Sequence, residues 1–96
     1  MRVLKFSAIW CGPCKMLAPI FHKISEMEEF KNVSFEEIDV DSDDDEANEL
    51  ISKFGVRNLP TIVILNENNE LSKRIVGSLT EANLVQVLRD TLQHAE

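Results

Sequence analysis

Cys11 and Cys14 are the only cysteines in this 96-residue chain, and they stand three positions apart in Trp10-Cys11-Gly12-Pro13-Cys14. An apolar run, Val3 to Ile9, ends just before them, and a helical pattern begins just after. A strand that turns directly into a helix puts Cys11 at the helix N-terminus. Unpaired backbone N–H groups and the positive end of the helix dipole favour a thiolate there, and the thiolate is the reactive form of the sulfur. Pro13 fits the first helical turn, where its missing N–H has no partner to lose. Gly12 permits the tight turn that brings the sulfurs together. The pattern predicts an exposed, activated sulfur at Cys11 and a buried one a helical turn later at Cys14, a pair that makes and breaks disulfides. Two other uses compare poorly. A staple across so short a loop stabilises little. A zinc site wants four ligands, and the candidates beyond the pair are His22, eight positions past Cys14, and His94, near the C-terminus. Both histidines are expected on the surface, and no metal is expected.

The elements that must hold this pair follow from periodicity. Val3 to Ile9 reads as a strand covered on both faces, interrupted by Lys5 and Ser7. A helix from about Pro13 to Glu29 carries Leu17, Ile20, Phe21, Ile24 and Met27 on one stripe, with Pro19 expected to kink it. Val33 to Val40 is a second strand, parallel to the first through a right-handed crossover. Asp39 to Glu49 is dense in carboxylates and empty of basic residues. A calcium loop starting at Asp41 fails, because Glu46 stands where glycine is needed and Ser52 where glutamate is needed. The stretch reads instead as a solvated helix start. Ala47, Leu50, Ile51 and Phe54 form that helix's buried stripe and Gly55 its cap. Thr61 to Leu65 is a β-branched strand, Asn66 to Asn69 a turn, and Leu71 to Val76 the returning hairpin strand. Ser78-Leu79-Thr80-Glu81 has capping-box spacing and opens a last helix that buries Leu84, Leu88 and Leu92, with Val85 or Val87 at its margin.

The composition narrows the function. A formal net charge of −7 argues against nucleic-acid or anionic-membrane partners. The longest apolar run is far short of a membrane span. Met1 lies within two residues of strand-like sequence, so no secretory or transit peptide is expected. The length suits one domain, 1–96. A cysteine pair without an export signal suggests a reducing, cytoplasmic setting.

The chain resembles the thioredoxin family. The resemblance is carried by Phe6, Ala8 and Trp10-Cys11-Gly12-Pro13-Cys14-Lys15, continuing through Ala18-Pro19, Asp39-Val40-Asp41, Phe54-Gly55-Val56, Leu59-Pro60-Thr61 and Val76-Gly77. It implies an α/β thioredoxin fold: a four-stranded mixed sheet in the order β-α-β-α-β-β-α, flanked by three helices, without the extra strand and helix at the front of most thioredoxins. The 3–9 strand would be central, with the 33–40 strand at an edge blunted by Glu36, Glu37 and Asp39. It implies protein-disulfide reductase chemistry, with Cys11 attacking a client disulfide and Cys14 resolving the mixed disulfide. No bound cofactor is expected. The expected partners are disulfide-containing clients and an NADPH- or ferredoxin-linked thioredoxin reductase, with the chain acting as a monomer. Trp10 either packs on the sheet end or offers a flat docking surface beside the sulfur. Pro60 either starts a strand in trans or, as the resemblance implies, follows a cis Leu59–Pro60 bond facing the sulfurs. Leu59 and Pro60 would then form one wall of a substrate groove and Val76-Gly77 the other. Glutathione-linked, glutaredoxin-like reduction and a docking module with a dispensable redox pair are the alternatives.

The chain departs from the family pattern at three positions. Lys5 stands where most thioredoxins have a buried aspartate, Glu37 where many have lysine, and Ser7 where an aromatic residue is common. The resemblance places Lys5 across from Glu37 beneath the cysteines, as if acid and base had exchanged strands. Val33, Phe35 and Glu37 share one face, consistent with that placement. Lys5 and Glu37 are thus a candidate ion pair and charge relay. In that case removing either partner should cost ~2–4 kcal/mol and removing both should recover part of the loss. The alternative is a Lys5 that snorkels to solvent.

Overall fold

The computed structural model describes residues 1–93, and the prediction for His94 falls outside them. Its elements are β1 (Arg2–Ser7), α1 (Gly12–Ser25), a 3-10 turn (Glu28–Phe30), β2 (Ser34–Asp39), α2 (Asp45–Phe54), β3 (Thr61–Leu65), β4 (Leu71–Val76) and α3 (Glu81–Gln93). The sheet order is β2-β1-β3-β4, with β1 parallel to β2 and antiparallel to β3, and β3 antiparallel to β4. The strand, helix, strand, helix, strand, strand, helix order read from the sequence is the order found.

Strand alternation divides the core. Val3, Ile62 and Ile64 point to one face and meet Leu17, Phe21 and Ile24 of α1 and Leu84, Val85 and Leu88 of α3. Leu4, Phe6, Val63 and Leu65 point to the other, where Phe54 is buried and Leu50 and Ile51 are half-buried. Every residue of β3 is buried, as its continuous apolar sequence requires.

Three boundaries differ from the sequence expectation by more than one residue. The first helix ends at Ser25, with Met27 extended, rather than at Glu29. Glu26, Glu28 and Glu29 would crowd the negative end of a longer helix. The chain instead folds back so that Phe30 is fully buried, its ring meeting Phe35 edge-on at 6.3 Å, while Met27 packs on the same core. β1 stops at Ser7, and the chain turns through Ala8 to Cys11, whose N–H donates to the Ala8 carbonyl at 3.1 Å. The α3 cap is Thr80, not Ser78: the Thr80 hydroxyl accepts from the Asn83 N–H at 3.1 Å. That choice sets Leu79 just before the cap and Leu84 four residues after it. Both pack into one core cluster, which is the hydrophobic staple arrangement.

Elsewhere the caps follow the sequence. Asp44 caps α2 by accepting from the Ala47 N–H at 3.0 Å, and Gly55 ends it at φ 59°, a left-handed backbone that glycine adopts with no Cβ penalty. The β2 edge is held by a fork: Arg2 Nε and Nη2 donate to the two oxygens of Glu36 at 2.7 and 2.9 Å. These bonds hold the Glu36 carboxyl below its ordinary pKa, against a smaller opposing effect of burial.

Candidate active site

Cys11 is the N-cap of α1, and its Sγ accepts the Cys14 N–H at 3.2 Å. The geometry follows from the sequence between them. An N-cap side chain takes a hydrogen bond from the second or third helical N–H. The second helical residue is Pro13, which has none, so the third, Cys14, supplies it. The two cysteines are joined as a disulfide, with Cα atoms 5.2 Å apart.

Cys11 is not exposed as a whole residue, contrary to expectation. Cys11 is 5% and Cys14 3% exposed, and both are packed with Ala8, Val40 and Leu59. The bond to Cys14 and the N-cap contact turn the Cys11 sulfur inward, while the turn lifts its neighbours out. Ile9, Trp10 and Met16 are exposed around the pair.

The two cysteines nevertheless open onto different spaces. Cys11 lines an open groove of about 630 Å³ with Trp10, Gly12, Pro13 and Leu59 on one part of its wall. Val40, Asn48, Ile51, Val56, Arg57 and Asn58 supply the rest. Trp10 does not pack on the sheet end: it is 68% exposed, and its indole N–H donates to Asp41 at 2.6 Å. Cys14 lines a second open hollow, which shares no lining residue with the first and has Lys5, Ser7, Ala18, Glu37 and Asp39 among its walls.

The Leu59–Pro60 bond is cis. Leu59 touches the cysteine cluster and the groove, and Pro60 is buried at the start of β3. Val76 and Gly77 lie beside Pro60 rather than around this hollow. Val76 pairs with Thr61 and is half exposed, and the Gly77 N–H donates to the Pro60 carbonyl at 2.9 Å. The rest of the hollow's wall comes from Val40, just past β2, from Asn48 and Ile51 of α2 and from the segment that leads into Leu59. Sequence reasoning missed Val40, Asn48, Val56 and Arg57 because no local pattern joins them. The one available signal was that Val56, Arg57 and Asn58 lead directly into Leu59-Pro60.

Lys5 and Glu37 are register partners on β1 and β2, and Lys5 Nζ lies 2.9 Å from Glu37 Oε1. The ammonium also lies 5.2 Å from the centre of the Phe21 ring, within cation–π reach. Lys5 therefore pairs rather than snorkels. The burial is unequal: the Lys5 side chain is 3% exposed and that of Glu37 59%. Among the described residues no buried side-chain nitrogen or oxygen lacks a partner. Nor, among them, do three or more His, Cys, Asp or Glu side chains gather where they could hold a metal. His22 is exposed on α1, 3.4 Å from Glu26. No described helix is long and apolar enough to cross a membrane.

Comparison with known proteins agrees with this geometry. The family model for Thioredoxin matches residues 1–90. Thioredoxin Asp f 29 of Aspergillus fumigatus is 41% identical over 76 residues, covering 79% of this chain and 64% of that protein. The thioredoxin of Mycoplasmoides gallisepticum is 36% identical over 87 residues, covering 91% of this chain and 80% of that one. The crystal structure of Malassezia sympodialis thioredoxin superposes with a TM-score of 0.76 at 33% identity, covering 99% of this chain and 75% of that one. The chain thus spans just under two thirds of one of these curated relatives and four fifths of the other. With the cysteine pair at the helix start, the sheet order and a family match over nearly the whole sequence, this chain belongs to the thioredoxin family.

Proposed function

We propose that this chain is a cytoplasmic thiol-disulfide oxidoreductase that reduces disulfides in other proteins, with residues 1–96 working as one domain. The observation that carries the reading is the placement of the pair: Cys11 at the N-cap beside an open groove, and Cys14 behind it, already joined to it as a disulfide. In the reduced protein the Cys14 N–H and the helix dipole stabilise a Cys11 thiolate. That thiolate attacks a client disulfide, forming a mixed disulfide and releasing one client sulfur as a thiol. Cys14 then attacks Cys11 Sγ and releases the second client sulfur, leaving the Cys11–Cys14 disulfide. Trp10 and Leu59 flank the groove in which an extended client segment lies, and the backbone of Leu59 pairs with it as an added strand would. The electrons that reopen the disulfide come from a thioredoxin reductase linked to NADPH or ferredoxin.

Two measurements test the reading. Insulin reduction should proceed when a thioredoxin reductase and its electron donor are supplied, and be lost in Cys11→Ser. Cys14→Ser should accumulate mixed disulfides with clients, and Cys11→Ser should not. Equal trapping by both variants would overturn the division of roles. Undiminished biological function in the double Cys11→Ser, Cys14→Ser variant would make the chain a docking module instead.

A further inference from the structure

We propose that Lys5 holds Cys14 ready for resolution by stabilising its thiolate, and that the burial difference between Lys5 and Glu37 makes this possible. The proposal rests on the dithiol reading above and concerns its second step. Lys5 and Cys14 line one open hollow, which shares no lining residue with the client groove. An ion pair is neutral in sum but not in its field. The Lys5 ammonium is almost wholly enclosed, whereas the Glu37 carboxylate stands mostly in water, which screens it. Of the two charges the ammonium is the less screened, so the pair taken together favours the thiolate of Cys14 over its thiol.

The other charges facing this space do not reverse that preference. Asp39, on β2, is exposed, and one of its carboxylate oxygens accepts the Asp41 N–H at 2.9 Å. Lys15, on α1, is exposed and adds positive charge. His22, also on α1, lines a neighbouring surface hollow with Phe21 and Glu37 and points to Glu26. Lys5 alone among these charged groups is buried.

The step balances as follows. The Cys14 thiol loses its proton to water in the hollow it shares with Lys5. The thiolate attacks Cys11 Sγ, the Cys14–Cys11 bond forms and the Cys11–client bond breaks. The client sulfur leaves with the electron pair and takes up a proton from solvent. Lys5 neither gives nor takes a proton: it is a positioning residue that acts through charge. A cation thus serves where a carboxylate base would otherwise be needed.

The test is the titration of Cys14 in the Cys11→Ser background, followed by the ultraviolet absorbance of the thiolate. Adding Lys5→Met should lower the acid dissociation constant of Cys14 at least tenfold. Lys5→Arg should leave it within about threefold. Glu37→Gln, which removes the opposing charge, should move it the other way. Opposite movements from two changes to one ion pair cannot come from a general loosening of the fold. The double Lys5→Met, Glu37→Gln variant removes both charges and leaves the net charge unchanged, so its dissociation constant should lie below that of the wild type and above that of Lys5→Met. In the protein with both cysteines, a tenfold loss of thiolate is partly offset by its greater nucleophilicity. Release of the second equivalent of nitrothiobenzoate from dithiobis-nitrobenzoate should then slow about threefold near neutral pH. A Cys14 titration indifferent to Lys5→Met, or moved in the same direction by Lys5→Met and Glu37→Gln, overturns the proposal. Failure of wild-type insulin reduction would instead overturn the disulfide-reductase reading and leave the titration result standing.

Discussion

Replacing Glu37 by Gln strands a buried ammonium, whereas replacing Lys5 by Met strands a carboxylate that is mostly in water already. The two changes should therefore differ in cost, and the difference can be worked from the geometry. At the observed 2.9 Å, an effective dielectric of about 20 gives a gross attraction of about 6 kcal/mol, most of which offsets the desolvation of Lys5. Removing one member of a fully buried pair costs about 3–5 kcal/mol. Glu37 is 59% exposed, so screening reduces that figure, and glutamine keeps an acceptor for the ammonium. Glu37→Gln should cost about 2 kcal/mol on these grounds. Lys5→Met puts an apolar side chain of similar length beside Phe21, in the space the lysine stem fills. Its cost should be below about 1 kcal/mol, and the double variant should match it within about 0.5 kcal/mol. The sequence alone suggested comparable losses of ~2–4 kcal/mol for each change; the unequal burial replaces that symmetry. Urea denaturation of the three variants and wild type measures all four corners, provided the slope with denaturant is unchanged. Equal, additive losses would refute the argument, because they would mean that the buried charge gains nothing from its partner.

Three further outcomes are expected. Pro13→His places a donor beside Cys11 in the groove; stabilising that thiolate favours the reduced form, so the equilibrium with glutathione should shift toward reduced protein by about tenfold, near 30 mV. Phe30→Ala empties a fully buried site against Phe35 and should cost about 3–5 kcal/mol, read as a fall in the denaturation midpoint. The bonds from Arg2 lower the folded-state pKa of Glu36. The stability they supply is therefore present above the ordinary glutamate value of about 4.3 and is lost as pH falls through the lowered one. Glu36→Gln should flatten the acid limb of the stability curve by no more than about 1 kcal/mol, since the pair is partly in solvent.

How far the sequence reached depended on whether a signal was local. The β3 boundaries were legible because a β-branched run lies between Pro60 and the Asn66 turn, both of which stop a strand. The Cys11 N-cap was legible because strand, turn and helix signals meet within a few residues. The α1 end was not. Met27 and Phe30 continue the three- and four-residue spacing of Leu17, Phe21 and Ile24, and that spacing fits a helix or a fold-back equally well. Only the clustered glutamates separate the two, and their effect is small against the burial of Phe30. At α3 two overlapping cap signals compete, and the winner is decided by where Leu79 lands against Leu84.

The groove and the ion pair mark the further limit. Periodicity says which face of an element is buried, not which ends of different elements meet. Val40, Asn48 and Arg57 therefore gather around Cys11 without any shared pattern in the chain. Lys5 and Glu37 lie between these cases. A charge in an apolar strand needs a partner; the family resemblance placed Glu37 across from it, and strand parity was consistent with that. The energetics of the pair could not be read that way, because burial is set by position in the sheet. β1 is flanked by β2 and β3 and covered by α1, so Lys5 is enclosed; β2 has a neighbour on one side alone, so Glu37 reaches water. The same edge that exposes Glu37 leaves Lys5 as the less screened member of the pair. The proposal for Lys5 therefore depends on direction: a lysine on the inner strand favours a thiolate at Cys14, and a carboxylate there would oppose it. The chemistry assigned to Lys5 follows from that direction rather than from the presence of a pair.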